Sequence, residues 1–311
     1  MKRGIVAYLV ITLKGMGMGA ADVVPGVSGG TIAFISGIYE ELIDSIKAIN
    51  PSAIQKIWKE GIGAFWKAIN GTFLFCVVLG ILISVLSLAR ILEYLLIHHP
   101  ILIWAFFFGL IIASAIFVAK KIDSWNVVTA ISLLIGIIAA FIITSITPAE
   151  ATHAYWFIFV SGAIAICAMI LPGISGSFIL LLLGQYQYIL NALNEGKLDI
   201  IAVLLIGALI GIIGFSNLLS WLLRRFHNTT VAILAGFMVG SLNKIWPWKE
   251  TISTFTDSHG EIKPLVQHNM LPGNYETLTQ NDPQVVMALL MAAAGILLIL
   301  LFEGLSKIKK A

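Results

Sequence analysis

The chain has 311 residues, of which 59% are hydrophobic and only 11% charged. A soluble domain carries about 25% charged residues, so this composition, with a mean hydropathy of +0.97, excludes a soluble globular domain and defines an all-α polytopic membrane protein. A net charge of +3 is too small to point to nucleic acid. Cys76 and Cys167 read as small buried hydrophobes, and six scattered histidines offer no metal-ligand spacing.

The first element in chain order is a hairpin over 4–46. Lys2-Arg3 followed by Ile5–Leu13 begins like a secretory signal, but Lys14 interrupts the apolar stretch. The glycine-rich run then leads into Pro25-Gly26-Val27-Ser28-Gly29-Gly30, so the segment is expected to be retained. An insert over 50–69 sets Ile54, Trp58, Ile62, Phe65 and Ile69 on one helical face. It reads as an amphipathic helix, lying on the cytoplasmic leaflet or over the protein's own cytoplasmic face. Apolar spans follow at 72–96 and 101–119, each near the roughly 17–25 residues that cross hydrocarbon. A linker span covers 126–147, and a second hairpin, 155–190, carries Pro172-Gly173-Ile174-Ser175-Gly176-Ser177. Spans at 200–223 and 229–245, a loop over 248–283 and a last span over 284–311 with a basic tail complete the chain.

The two motifs are copies of one another. Pro25 and Pro172, Gly37 and Gly184, and Tyr39 and Tyr186 all pair at an offset of 147. Beyond the hairpins Gly80 pairs with Gly207, Gly109 with Gly236 and Ser114 with Ser241 at an offset of 127, which locates the insert in the first half. The first repeat is expected at 1–125 and the second at 154–247. Short-loop Lys and Arg residues mark the cytoplasmic side. They put both termini, Lys120-Lys121 and Arg224-Arg225 inside, with Arg90–His99 and the acidic Trp246–Pro283 loop outside. The first hairpin then enters from the cytoplasm and the second from outside, an inverted-topology repeat with two re-entrant hairpins and about six spanning helices. Helix breaks at corresponding positions of two halves point to a transport site at mid-depth. Trp156, Trp246 and Trp248 read as interfacial belt residues.

Each motif interrupts a helix and starts a new one, which presents unpaired N–H groups and the positive end of its dipole to an anion. Ser28, Thr31, Ser175 and Ser177 add hydroxyls, and Gly29, Gly30 and Gly176 permit close approach. The alternative is that both breaks are tight-packing kinks. Asp22 stands three residues before Pro25, with Met169 at its repeat position. It reads as a proton carrier, a cation partner or a capping acceptor at the break. Glu40 is a second titratable candidate, mated with Gln187. Arg90 and Arg224 are candidates for a lipid phosphate, with snorkelling as the other reading for Arg224.

Gly19-Ala20-Ala21-Asp22-Val23-Val24-Pro25-Gly26-Val27-Ser28-Gly29-Gly30-Thr31, with Gly37-Ile38-Tyr39-Glu40 and Leu171–Ser177, resembles the PopT family of prokaryotic membrane proteins. The resemblance covers nearly the whole chain. It implies a plasma-membrane flippase that returns undecaprenyl phosphate, a polyprenyl-phosphate lipid, to the cytoplasmic leaflet for cell-envelope synthesis. It implies transport and not enzymatic turnover, with Asp22, Ser28, Glu40 and Ser175 as functional positions. No cofactor is expected beyond a proton or sodium as coupling ion, and the sequence assigns no oligomeric state. Two other functions fit parts of the pattern. A carrier or channel for a small anion would show the same helix-end chemistry. An undecaprenyl-pyrophosphate phosphatase would need an Arg where Gly29 and Gly176 stand, and a Glu-x-x-x-Glu pair that this sequence does not contain.

Overall fold

The structure is a computed structural model that describes residues 3–24, 27–146, 152–256 and 262–308. Pro25, Gly26 and the terminal Lys2, Lys309 and Lys310 lie outside these residues. The chain forms α1 (Ile5–Val23), α2 (Gly29–Ile35), α3 (Tyr39–Lys47), α4 (Pro51–Glu60), α5 (Ile62–Ala68), α6 (Gly71–His98), α7 (Pro100–Ala119) and α8 (Val127–Ser145). It continues through α9 (Tyr155–Ile170), α10 (Gly176–Leu182), α11 (Tyr186–Asn194), α12 (Leu198–Arg225) and α13 (His227–Ser241). A hairpin of β1 (Lys249–Thr256) and β2 (Ile262–Asn269), then α14 (Pro272–Thr279) and α15 (Val285–Ile308), complete it.

Among the described residues five helical stretches are long and apolar enough to cross a membrane: α1, Gly71–Leu88 of α6, α7, α8 and α12. Helices α10 and α11 form one further apolar pair, bent by 107°. Leu, Ile and Val on the outer faces stay exposed, as at Leu86, Leu205 and Leu289, which is the surface lipid would cover. The protein is a multi-pass membrane protein.

Small residues set the helix pairing, because without water to drive apolar association membrane helices gain most from close backbone contact. Gly15 of α1 lies against Val77 of α6, and Gly162 of α9 lies against Leu204 of α12. Gly80 meets Thr12, and Gly207 meets Phe159. These partners carry the offsets of 147 and 127, so α1–α6 and α9–α12 are built alike. Gly109 of α7 meets Ala292 of α15, and Gly236 of α13 meets Leu133 of α8. The span α8, read from sequence as a linker, therefore packs on α13 as α15 packs on α7.

The turns after the short helices also match. Gly37 (φ 72°) and Gly184 (φ 64°) adopt the left-handed conformation. Behind them Ile38 N–H donates to Ala33 O and Gln185 N–H to Leu180 O, the six-to-one bond of a Schellman cap. A side chain at either glycine is strained by roughly 1–2 kcal/mol. Gly184→Val is accordingly expected to lower the melting temperature of the detergent-solubilised protein, measured by a thermal unfolding scan.

Several sequence expectations are revised by the packing. The amphipathic insert is two helices, because Gly61 takes φ 85° and ends α4. Trp58 is 87% exposed on α4. The segment after α13 is a β-hairpin and a short helix, not an open loop. Trp248 is buried against Ile101, Ala105 and Ala288 and donates its indole N–H to Pro283 O at 2.8 Å. Trp246 donates to Met270 O. These two tryptophans fasten the hairpin to α7 and α15, whereas Trp156 is exposed as a belt residue would be.

Candidate functional site

The two helix breaks meet. Ser28, wholly buried, caps α2 by accepting from Gly30 N–H at 3.0 Å and donates its own hydrogen to Met169 O at 2.9 Å. Gly173 N–H donates to the buried Thr31 Oγ1 at 3.1 Å, and Tyr39 donates to Ile170 O at 3.3 Å. Gly30 packs so closely that a Cβ there would overlap the Ile170 carbonyl oxygen. Residues 141 positions apart are thus joined by backbone contact that only small side chains allow. Breaks of this kind inside a membrane protein require burial in protein or a wet cavity to satisfy the freed polar groups, and here each break supplies partners to the other.

Asp22 is placed by the first break. Its Oδ1 accepts from Gly29 N–H at 2.7 Å, so a carboxylate of the chain itself occupies the N-terminus of α2. Of the three roles open to Asp22, capping is the one its geometry displays. The Ser175 and Ser177 hydroxyls bond to each other at 2.7 Å, and Ser175 and Gly176 are buried.

The other candidates lie away from this contact. Glu40 is exposed in the first turn of α3, with no hydrogen bond or ion pair among the described residues. Its neighbour Glu41 takes both Arg3 guanidinium nitrogens, at 2.6 and 2.8 Å, and Asn70. Burial opposes the Glu41 charge, yet the Arg3 and Asn70 hydrogen bonds hold its carboxyl below the ordinary value. Arg224 is held by Asp44 at 2.8 Å, and Asp44 also accepts from Ser220. The structure therefore pairs Arg224 with a carboxylate of its own chain. This pair is largely exposed, so Asp44→Asn should change unfolding stability by less than about 1 kcal/mol, a difference a chemical denaturation series would resolve. Arg90 is exposed on α6, just beyond the Gly71–Leu88 apolar stretch, and has no partner among the described residues.

A cavity of about 440 Å³ opens between the ends of α8, α10 and α13 and strand β2. Its polar wall carries Asn243, Lys244, Lys249, His268 and Asn269 with the Thr144 and Ser145 hydroxyls, and its apolar wall is Phe178, Leu181 and Leu182. Gly173 of the second break abuts Ser241 at the end of α13, three residues before Lys244. Sequence reasoning passed over Lys244 and Lys249, because Lys249 stands in an acidic segment. The local signal was a lysine set directly after Trp246-Pro247-Trp248.

Residues 18–263, a stretch that contains both breaks, match the VCA0040-like family, described as undecaprenyl phosphate translocase-like. The chain is 49% identical over 297 residues to a polyprenyl-phosphate transporter of Vibrio cholerae serotype O1, covering 95% of this chain and 96% of that protein. It is 34% identical over 253 residues to a polyprenyl-phosphate transporter of Staphylococcus aureus, covering 76% of this chain and 85% of that one. No solved structure matches. The chain belongs to the undecaprenyl phosphate translocase-like family of membrane proteins.

Proposed function

We propose that this protein carries polyprenyl phosphate from the outer to the cytoplasmic leaflet, and does so by transport without chemical turnover of the lipid. The observation that carries the reading is family membership across 18–263, a stretch that includes both helix breaks and the contact between them. A phosphate headgroup crosses hydrocarbon unaided only at prohibitive cost, since an unpaired charge is poorly tolerated there. A protein passage shelters the headgroup while the tail stays in lipid. The matched pairs α1–α6 and α9–α12 support two related halves that exchange outward and inward openings.

Inward movement of an anion opposes an inside-negative potential by about 2.3 kcal/mol per charge per 100 mV. Entry of a proton or sodium ion would offset that cost. Asp22 is the favoured carrier, because neutralising it weakens its bond to Gly29 N–H and loosens the first break. Glu40 is the second candidate. The test is leaflet-resolved flux of polyprenyl phosphate in proteoliposomes with an imposed pH or sodium gradient. Flux above empty liposomes, accelerated by one gradient, is the expected result. Flux equal to empty liposomes would overturn the transport reading.

A further inference from the structure

We propose that the cavity between α8, α10, α13 and the β1–β2 hairpin binds a phosphate monoester headgroup, with Lys244 and Lys249 supplying the charge and the Asn243–Asn269 pair holding the polar wall beside them. The inference deepens the transport reading and rests on it for the identity of the lipid.

The geometry states the need for an anion. Lys244 stands over the Phe178 ring at 4.7 Å and Lys249 over the Trp104 ring at 4.0 Å. Lys249 also donates to Lys244 O, which draws the two residues together. Among the described residues no carboxylate lies within ion-pair distance of either amine. Partly buried like charges side by side are unfavourable without a counter-charge. Burial pushes both amines below the ordinary lysine value, and for Lys249 the Lys244 charge adds to that effect. A bound phosphate supplies the missing negative charge and favours the charged form of both amines.

The rest of the wall suits the same ligand. Asn269 donates to Asn243 O and Oδ1 at 2.7 and 2.9 Å, and Asn243 donates to Ser145 at 3.2 Å. This network fixes the polar side. Phe178, on the second break's own helix, faces it and gives the first carbons of a lipid an apolar surface.

A lysine also stands over an aromatic ring at the first hairpin, but it is arranged differently. Lys121 stands over Phe34 of α2 at 4.6 Å, but its amine also donates to Phe34 O. Lys14 donates to Ser36 O nearby. There the lysines cap a helix end. At the second hairpin Lys244 makes no such bond among the described residues, and its charge is left for a ligand.

The experiment is isothermal titration of the purified full-length protein in detergent with three probes: a short-chain prenyl monophosphate, the matching prenyl alcohol and inorganic phosphate. The monophosphate should bind and the alcohol should not. Lys244→Gln and Lys249→Gln should each weaken the monophosphate about tenfold or more, the usual scale of a lost charge-assisted bond. Lys244→Arg should retain most of the affinity. Because Lys244 has no hydrogen bond or ion pair among the described residues, whereas Lys249 is held by Lys244 O, Lys244→Gln should unfold no earlier than the parent, which separates lost binding from lost folding. Inorganic phosphate binding as tightly as the prenyl monophosphate would assign the cavity to a free anion and overturn the lipid assignment. Unchanged monophosphate affinity in the double glutamine variant would overturn the cavity itself. If the parent protein still moves polyprenyl phosphate in liposomes, that second result leaves the transport reading standing. Binding at the cavity with no flux would instead remove the transport reading alone.

Discussion

Replacing Gly30 with valine is expected to abolish transport and to destabilise the protein. The added side chain would overlap the Ile170 carbonyl oxygen and crowd Ser28 Oγ, 3.1 Å from the position of its Cβ. Neither group can yield cheaply. Ile170 O belongs to the backbone just before the second break and already accepts from Tyr39. Ser28 holds both Gly30 N–H and Met169 O. Relief therefore requires the breaks to separate, which would cost the Gly173–Thr31 bond as well. Overpacking of this kind costs roughly 1–3 kcal/mol, and alanine should show a smaller form of the same defect. Gly214→Ala in α12 is the matched control, since nothing lies within 4 Å of a Cβ there. It should be neutral or up to about 1 kcal/mol stabilising, as alanine is the better helix former. Parallel thermal scans and flux assays test the contrast. Equal behaviour of the Gly30 and Gly214 variants would remove the close contact of the breaks as a functional element.

The second large effect belongs to Asp22, and two substitutions divide its roles. Asp22→Ala leaves the buried Gly29 N–H without its acceptor, a loss of about 1–3 kcal/mol. Asp22→Asn keeps an acceptor in place and removes only the charge. The asparagine variant should therefore remain folded, within about 1 kcal/mol of the parent. If Asp22 carries the coupling proton, that variant should lose gradient-driven flux by an order of magnitude or more while still binding lipid. Full gradient-driven flux in Asp22→Asn would leave the residue as a helix cap alone.

Much of the fold was legible because glycine spacing records where backbones touch. The 147 and 127 offsets read from sequence recur in the partners of Gly15, Gly80, Gly162 and Gly207. The capping option for Asp22 was also readable, since its acceptor role depends on residues seven positions apart. What escaped depends on distant segments. Arg224 looked available for a phosphate until α3 brought Asp44, 180 positions away, against it. Lys249 looked like one cation among carboxylates, because charge counted along a loop says nothing of where a strand turns its side chain. Trp246 and Trp248 have belt-like composition but are held by Met270 and Pro283. The division of the insert at Gly61 did have a local sign, a glycine between two amphipathic turns. The continuous apolar face concealed it.

The exchanged final helices have a consequence for how the protein is made. The glycine face of α7 is closed by Ala292 of α15, which is encoded 183 residues after Gly109. At ordinary synthesis rates that gap lasts on the order of 10 to 40 s. During that interval α7 sits in the bilayer with a notch in its surface, which lipid chains or another membrane helix must fill. Helix α13 has no such wait, because α8 is already present when it emerges. By order of synthesis, the α8–α13 contact can form before the α7–α15 contact.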